Sequence, residues 1–297
     1  MAEYAPLLRE CPSNIGSRVQ IPPSPPYVLL AQWIRASGYG PEGYEFDSCE
    51  ARHFVPLGTF FFIVEELDLI QKIKIKDIEL MQDTELQSIT LDSVALADFV
   101  KINRCAKKVL EIGSGNGVIS LLLAKKMKAK IVGVEILKKS YDLAVENANN
   151  NEIKNVEYIN EDIKEFSKHI FQEFDIVVSN PPYFLENNED QIKKDSCKRI
   201  ARNEENLKIE EIIAISNVIL KNRGHLYLIF RVERLDEILE YLLSTKLVAK
   251  VLKFVYTKRD AKALLVLVDC IKGAKKGLVV EAPLNVYDSS VKEYLYK

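Results

Sequence analysis

A chain of 297 residues, 47% apolar and 28% charged, has the material for a packed core, and its formal charge of −2 gives no overall field to attract a polyanion, so any nucleic-acid surface must be a local patch. Five cysteines (Cys11, Cys49, Cys105, Cys197 and Cys270) are odd in number and form no Cys-x-x-Cys pair; this argues against a disulfide framework or a zinc site, so no metal is expected, and it fits a reducing cytoplasm. No apolar run approaches the ~20 residues of a membrane span, and the start, with Glu3 and Arg9, has no signal-peptide core.

Residues 1–63 differ in kind from the rest of the chain. Eight of the eleven prolines fall there, and the first lysine is Lys72. Such proline density reads as extended or disordered chain. The run from Ala31 to Ser48 resembles a peptide read from a tRNA gene, so 1–63 is expected to be a disordered or mis-called extension. The alternative is a functional proline-rich tail, and the intact mass of the native protein distinguishes the two. The folded domain is expected over 64–288, with 289–297 a tail.

Ile89 to Val100 reads as a capped helix, with Thr90 or Asp92 at its N-cap. From residue 107 strands and helices alternate, the pattern of a parallel sheet with helices on both faces. Strands are predicted at Val109–Glu111, Ile131–Val134, Val156–Ile159, a run ending at Ser179, and His225–Ile229. Helices are predicted at Val118 to about Lys128, Lys138 to Asn150, about Leu207 to Leu220, and Leu235 to Leu243. Two last β-rich runs, Val251–Tyr256 and Ala263–Val268, are joined by too few residues for a parallel crossover and must form a hairpin. A parallel sheet finished by an antiparallel hairpin is an α/β, Rossmann-like layout of seven strands, that of class I methyltransferases rather than dehydrogenases.

Between the first strand and its helix lies Glu111-Ile112-Gly113-Ser114-Gly115-Asn116-Gly117. Glycines there permit positive φ and close approach of a ligand. The spacing is not that of dinucleotide folds, and Glu111 would repel a pyrophosphate but suits the methionyl ammonium of S-adenosylmethionine. Glu135 ends the second strand, where a carboxylate can accept ribose hydroxyls. Asp162 lies after the third and is placed to accept from the adenine amine. Each acid alone reads as a solvated loop carboxylate; three successive strand ends bearing acids beside a glycine turn read as a cofactor site formed by Glu111, Gly113, Gly115, Gly117, Glu135 and Asp162. For Asp92, closing the pocket and capping the helix remain equally open.

The fourth strand runs into Asn180-Pro181-Pro182-Tyr183. Two prolines end the ladder, having no N–H to donate, and hold an amide, bare carbonyls and an aromatic ring at the strand's C-terminal edge, where open α/β sheets bind ligands. Asn180, Pro181, Pro182 and Tyr183 are therefore the candidate catalytic group for a planar base carrying an exocyclic amine. Two basic segments are candidate RNA contacts. One has Lys193, Lys194, Lys198, Arg199 and Arg202; the other has Lys253, Lys258, Arg259, Lys262, Lys272, Lys275 and Lys276. The first, within Glu186 to Glu205, reads as a mobile loop beside the target pocket; the second can equally be a solvated lysine face.

With these motifs in place, residues from about Asp83 to Asp288 resemble the bacterial tRNA-Val adenine-N(6) methyltransferase family. The shared parts are Leu91 to Phe99, the glycine loop, Asn180 to Phe184, Arg231-Val232-Glu233-Arg234-Leu235, Lys262-Ala263 and Ala282 to Tyr287. The resemblance implies S-adenosylmethionine as cofactor, tRNA as partner, and methylation of the adenosine at position 37, just 3′ of the anticodon; a monomer in the cytoplasm is expected. One departure is Asn203, where the family's Ala-Arg-His-Glu pattern has His; an amide cannot titrate near neutrality. The Asn-Pro-Pro-Tyr group is shared with DNA and ribosomal-RNA amino-methyltransferases and with protein glutamine methyltransferases, so these stay as alternatives, as does an RNA-binding protein with a vestigial pocket.

Overall fold

The computed structural model describes residues 55–57, 60–62, 70–83, 86, 89–102, 105–181, 207–288 and 291. The chain divides into two units, Met1–Leu67 and Asp68–Lys297. In the first, β1 (Val55–Leu57) pairs antiparallel with β2 (Phe60–Phe62). The rest of 1–63, and all of 289–297 except residue 291, lie outside the described residues.

The second unit opens with a hairpin the sequence did not announce, β3 (Ile70–Ile75) against β4 (Ile78–Asp83). Ile75, Ile78 and Leu80 are buried from it. Helix α1 (Leu91–Phe99) comes next, with Thr90 in the N-cap position but without a side-chain cap bond. Then come β5 (Lys108–Ile112), α2 (Val118–Lys126), β6 (Lys130–Glu135), α3 (Lys138–Asn150), β7 (Val156–Asn160), short α4 (Ile163–Phe166), β8 (Phe174–Ser179), α5 (Ile209–Ile219), β9 (Leu220–Arg231), α6 (Leu235–Leu243), β10 (Leu247–Tyr256) and β11 (Leu265–Lys272). All seven expected strands are present. Two additional short strands, β12 (Val279–Val280) and β13 (Leu284–Asn285), run parallel along β10 and bring the sheet to nine.

Strand order is β12-β10-β11-β9-β8-β5-β6-β7. Strands β5 to β9 are parallel, and β11 is antiparallel to both β9 and β10. The chain enters at β5 in the middle, winds outward through β6 and β7, and returns to β8 on β5's other side. The switch point therefore lies between β5 and β8, and a crevice opens at their C-terminal ends.

Side chains alternate faces along each strand, so a strand buried on both faces is apolar throughout. Val109, Ile131, Ile176, Val178, Ile229 and Leu267 share one core with the buried faces of α1, α2 and α3. Leu110, Ile112, Val132, Val134, Val177, Leu228 and Val268 share the other with α5 and α6. Strand β9 begins earlier than predicted. Phe174 pairs with Leu220 while Ile176 pairs with His225, so the extra β9 residues bulge. Arg223 takes φ 68 there, and at Gly224 a Cβ would stand 2.9 Å from the Lys221 carbonyl oxygen, so the bulge has no room for a side chain.

Candidate active site

Register brings the two motifs together. Ile112, the last residue of β5, pairs with Ser179, the last of β8, and the Ser179 hydroxyl donates to the Ile112 carbonyl at 3.0 Å. Neighbouring strands lie about 4.8 Å apart, so Gly113 and Asn180 emerge side by side. Asn180 Nδ2 donates to Ser93 Oγ, in the first turn of α1, at 2.9 Å. Pro182 and Tyr183 lie outside the described residues, as do Lys193, Lys194, Arg199, Arg202 and Asn203.

The turn after β5 first runs along β6: the N–H groups of Gly113 and Ser114 both donate to the Val134 carbonyl, at 3.0 and 3.2 Å. Gly113, Gly115 and Gly117 take φ of 71, 54 and 86. A Cβ on Gly113 or Gly115 would meet nothing within 4 Å; their bare backbone borders open space. Ser114 Oγ and Asn116 Nδ2, in the same turn, are buried with no hydrogen-bond partner among the described residues. Such orphans are rare in native folds and mark a place where a ligand's polar atoms can be received. Gly117 differs: a Cβ there would overlap the Tyr158 hydroxyl and stand 2.9 Å from its Cζ. Packing under Tyr158 accounts for that glycine.

The three acids have distinct tasks. Glu135 is buried at the tip of β6, with Oε2 accepting from Gly115 N at 2.7 Å and Oε1 from Leu137 N at 2.9 Å. Burial raises its pKa, and the hydrogen bonds from Leu137, Gly115 and Ile136 pull it back. It thus stands beside the turn while also bracing it. Glu111, 1% exposed, points from β5 to the start of α2, where Oε2 accepts from Ser120 N at 2.8 Å and from the Ser120 hydroxyl. Burial pushes its carboxyl up to about 8, against the Ser120 hydrogen bonds and with added repulsion from Glu135. Asp162 is the N-cap of α4, its Oδ1 accepting from Lys164 N at 2.8 Å. Two of the three carboxylates therefore also tie down helix starts, which strand-end position alone did not reveal.

Asp92 sits in the first turn of α1, half-buried. Burial raises its carboxyl, and the positive charge of Arg231, its own N–H and the Thr90 hydroxyl oppose this. Arg231 is the last residue of β9, so the start of α1 and the end of β9 meet electrostatically at the crevice.

The basic residues separate by edge. Because β10 runs with β8 and β9, the β10–β11 connection lies at the same edge as Asn180, and Lys258, Arg259 and Lys262 are exposed on it. Lys253 is half-buried on β10 itself. Lys272, Lys275 and Lys276 are at the opposite edge, and Lys272, 5% exposed, donates to the buried Leu220 carbonyl at 2.6 Å. The expectation of a phosphate contact is corrected for Lys272, which satisfies the bulge of β9; Lys275 and Lys276 are exposed.

Sequence reasoning missed Ser93, Ser120, Asn147 and Tyr158. Asn147, fully buried on α3, accepts from Met81 N at 2.7 Å and donates to Met81 O at 3.1 Å and Asn116 O at 3.0 Å. It locks the β3–β4 hairpin to the glycine turn. A polar residue at a core position of an amphipathic helix was the available signal.

Residues 104–253 match the family model described as methyltransferase domain, and the protein belongs to that family, with a class I methyltransferase fold. Its curated relatives include the tRNA1(Val) (adenine(37)-N6)-methyltransferases of Flavobacterium psychrophilum, 30% identical over 157 residues (52% of this chain, 65% of that protein), and of Bacteroides fragilis, 30% identical over 151 residues (50% and 62%). The matches thus span a little under two thirds of those relatives' own lengths. Among solved structures, a predicted O-methyltransferase from Agrobacterium tumefaciens superposes with TM-score 0.53 at 21% identity, covering 67% of this chain and 88% of that one. P. horikoshii TYW2 in complex with MeSAdo gives 0.52 at 16% identity, covering 72% and 75%. At these identities the likeness is one of fold.

Proposed function

We propose that this protein is an S-adenosylmethionine-dependent methyltransferase for the exocyclic N6 amine of an adenosine in tRNA, at position 37 beside the anticodon of tRNA-Val. One observation carries this above all: Asn180 and Pro181 leave β8 next to the glycine turn that leaves β5. The curated relatives' names point to the same chemistry and substrate.

The turn fits the cofactor on its own features, the open space at Gly113 and Gly115 and the unpartnered Ser114 and Asn116 atoms. Glu135 would take the ribose hydroxyls, Asp162 the adenine amine, and Glu111 and Asp92 the polar groups toward the methionyl end. When bound, the cofactor supplies an activated methyl group.

The chain's own residues prepare the acceptor. An adenine amine is a weak nucleophile because its lone pair is delocalised into the ring. The Asn180 side-chain oxygen and the Pro181 carbonyl would accept its two hydrogens, favour a pyramidal nitrogen, and stabilise the positive charge that develops there, which is electrostatic preorganisation. Tyr183 would stack on the base, worth ~1–3 kcal/mol, after the nucleotide is turned out of its loop. No general base is required, because the product ammonium is strongly acidic. Lys258, Arg259 and Lys262, at the crevice edge, with Lys253 and the segment bearing Lys193, Lys194, Arg199 and Arg202, would hold tRNA phosphates. The enzyme would act as a cytoplasmic monomer without a metal.

The test is methyl transfer from S-adenosylmethionine to tRNA by the purified chain, read as N(6)-methyladenosine after digestion. Asn180→Ala should abolish product while calorimetric cofactor binding is retained. Wild-type turnover by that variant would refute the role given to Asn180.

A further inference from the structure

We propose that Ser93 is a positioning residue for methyl transfer: its hydroxyl holds the Asn180 amide by the nitrogen and so sets where the amide oxygen stands. This rests on the role given above to Asn180, and it assigns the orientation of that group to a residue 87 positions away. An amide is planar, with oxygen and nitrogen on opposite edges. With Nδ2 turned to Ser93 Oγ at 2.9 Å, Oδ1 faces the opposite side.

Ser93 can do this because its helix is packed into the core. It is 8% exposed, and Val94, Ala95, Leu96 and Ala97 beside it are each 3% exposed or less. At the far end of α1, Asp98 bridges Lys126 of α2 at 3.1 Å and Lys76, in the turn of the β3–β4 hairpin, at 3.4 Å. Phe99 meets Tyr227 of β9 edge to face, ring centroids 5.8 Å apart. Asn180 itself directly succeeds a strand tied to β5 through Ser179. A packed helix and a paired strand end thus meet through a hydrogen bond at the candidate reacting centre. Supporting bonds of this kind keep a site within its productive geometry, and a displacement near 1 Å can cost about a hundredfold in rate.

The experiment compares wild type, Ser93→Ala and Ser93→Cys in the full chain, because Cys fills nearly the space of Ser but accepts a hydrogen bond poorly. Single-turnover transfer to tRNA, calorimetric affinity for S-adenosylmethionine, melting temperature and the 1H–15N signal of the Asn180 side-chain amide are measured for each. That signal is identified by its loss in Asn180→Asp. Both variants should be roughly tenfold to a hundredfold slower in the transfer step, with cofactor affinity unchanged, melting temperature lowered by only about 2–4 °C and the Asn180 amide signal shifted. Wild-type rate in Ser93→Ala, recovery of rate in Ser93→Cys, or an unmoved amide signal would overturn the proposal. If the wild-type chain methylates no RNA adenine, the assigned reaction fails; the amide signal then still reports whether Ser93 holds Asn180.

Discussion

Gly115 and Gly117 stand two residues apart with the same sign of φ, yet the structure predicts opposite consequences for replacing them by alanine. At Gly115, with φ 54, a Cβ meets nothing within 4 Å. Alanine in the left-handed region costs about 1–2 kcal/mol, part of it offset by the smaller conformational freedom of the unfolded chain. Gly115→Ala should therefore lose only about 1 kcal/mol of stability. At Gly117, with φ 86, the same backbone term is joined by overlap with the Tyr158 ring. Overpacking adds about 1–3 kcal/mol, so Gly117→Ala should lose about 2–4 kcal/mol. Cofactor affinity should run the other way per unit of stability lost. The new methyl of Gly115→Ala projects into the open cradle and should weaken S-adenosylmethionine binding at least tenfold, or about 1.4 kcal/mol. Urea unfolding and calorimetric titration of the two variants are the assays. Equal destabilisation by both would refute the packing of Gly117 under Tyr158, and wild-type cofactor affinity in Gly115→Ala would show that the open space beside the turn is not where the ligand goes.

Glu111 should give the protein an unusual pH dependence. Its carboxyl is pushed up to about 8 from the ordinary 4.5, so between those values the folded chain keeps a proton that the unfolded chain has released. Its contribution to stability is full below about pH 4.5 and is lost as pH rises toward 8, by at most about 1.4 kcal/mol per pH unit. Glu111→Gln, uncharged at every pH, should flatten the decline in melting temperature over that window; parallel curves for wild type and variant would refute the burial effect. Replacing Lys258, Arg259 and Lys262 together by Gln should leave folding intact and make tRNA binding less salt-sensitive, lowering the log–log slope by about 2–3. An unchanged slope would remove the hairpin tip from the RNA surface.

Much of the fold was legible because its determinants are local. Apolar runs at β5, β6 and β8 and the glycine turn announce themselves within a few residues, and the short connection after Tyr256 forces the hairpin without knowledge of anything distant. The three acids were legible as strand ends, but Ser120 beneath Glu111 and the capped helix after Asp162 were not, because a carboxylate's partners depend on where a neighbouring helix begins. The β3–β4 hairpin escaped notice for a related reason: it is fastened through the amides of Asn147 and Asn151, the latter pairing with Glu79 N and O at 2.9 and 2.7 Å, across a separation no periodicity spans. Lys272 shows the converse hazard. Its charge placed it with the phosphate contacts, while its long apolar stem carries the ammonium to a buried carbonyl.

The measurement closest to the central claim is mass spectrometry of nucleosides from individual tRNAs, isolated from cells with and without the gene. Asn180 beside the glycine turn predicts that N(6)-methyladenosine vanishes from tRNA-Val on deletion, returns with the wild-type gene, and does not return with Asn180→Ala. An unchanged N(6)-methyladenosine content in every tRNA after deletion would contradict it.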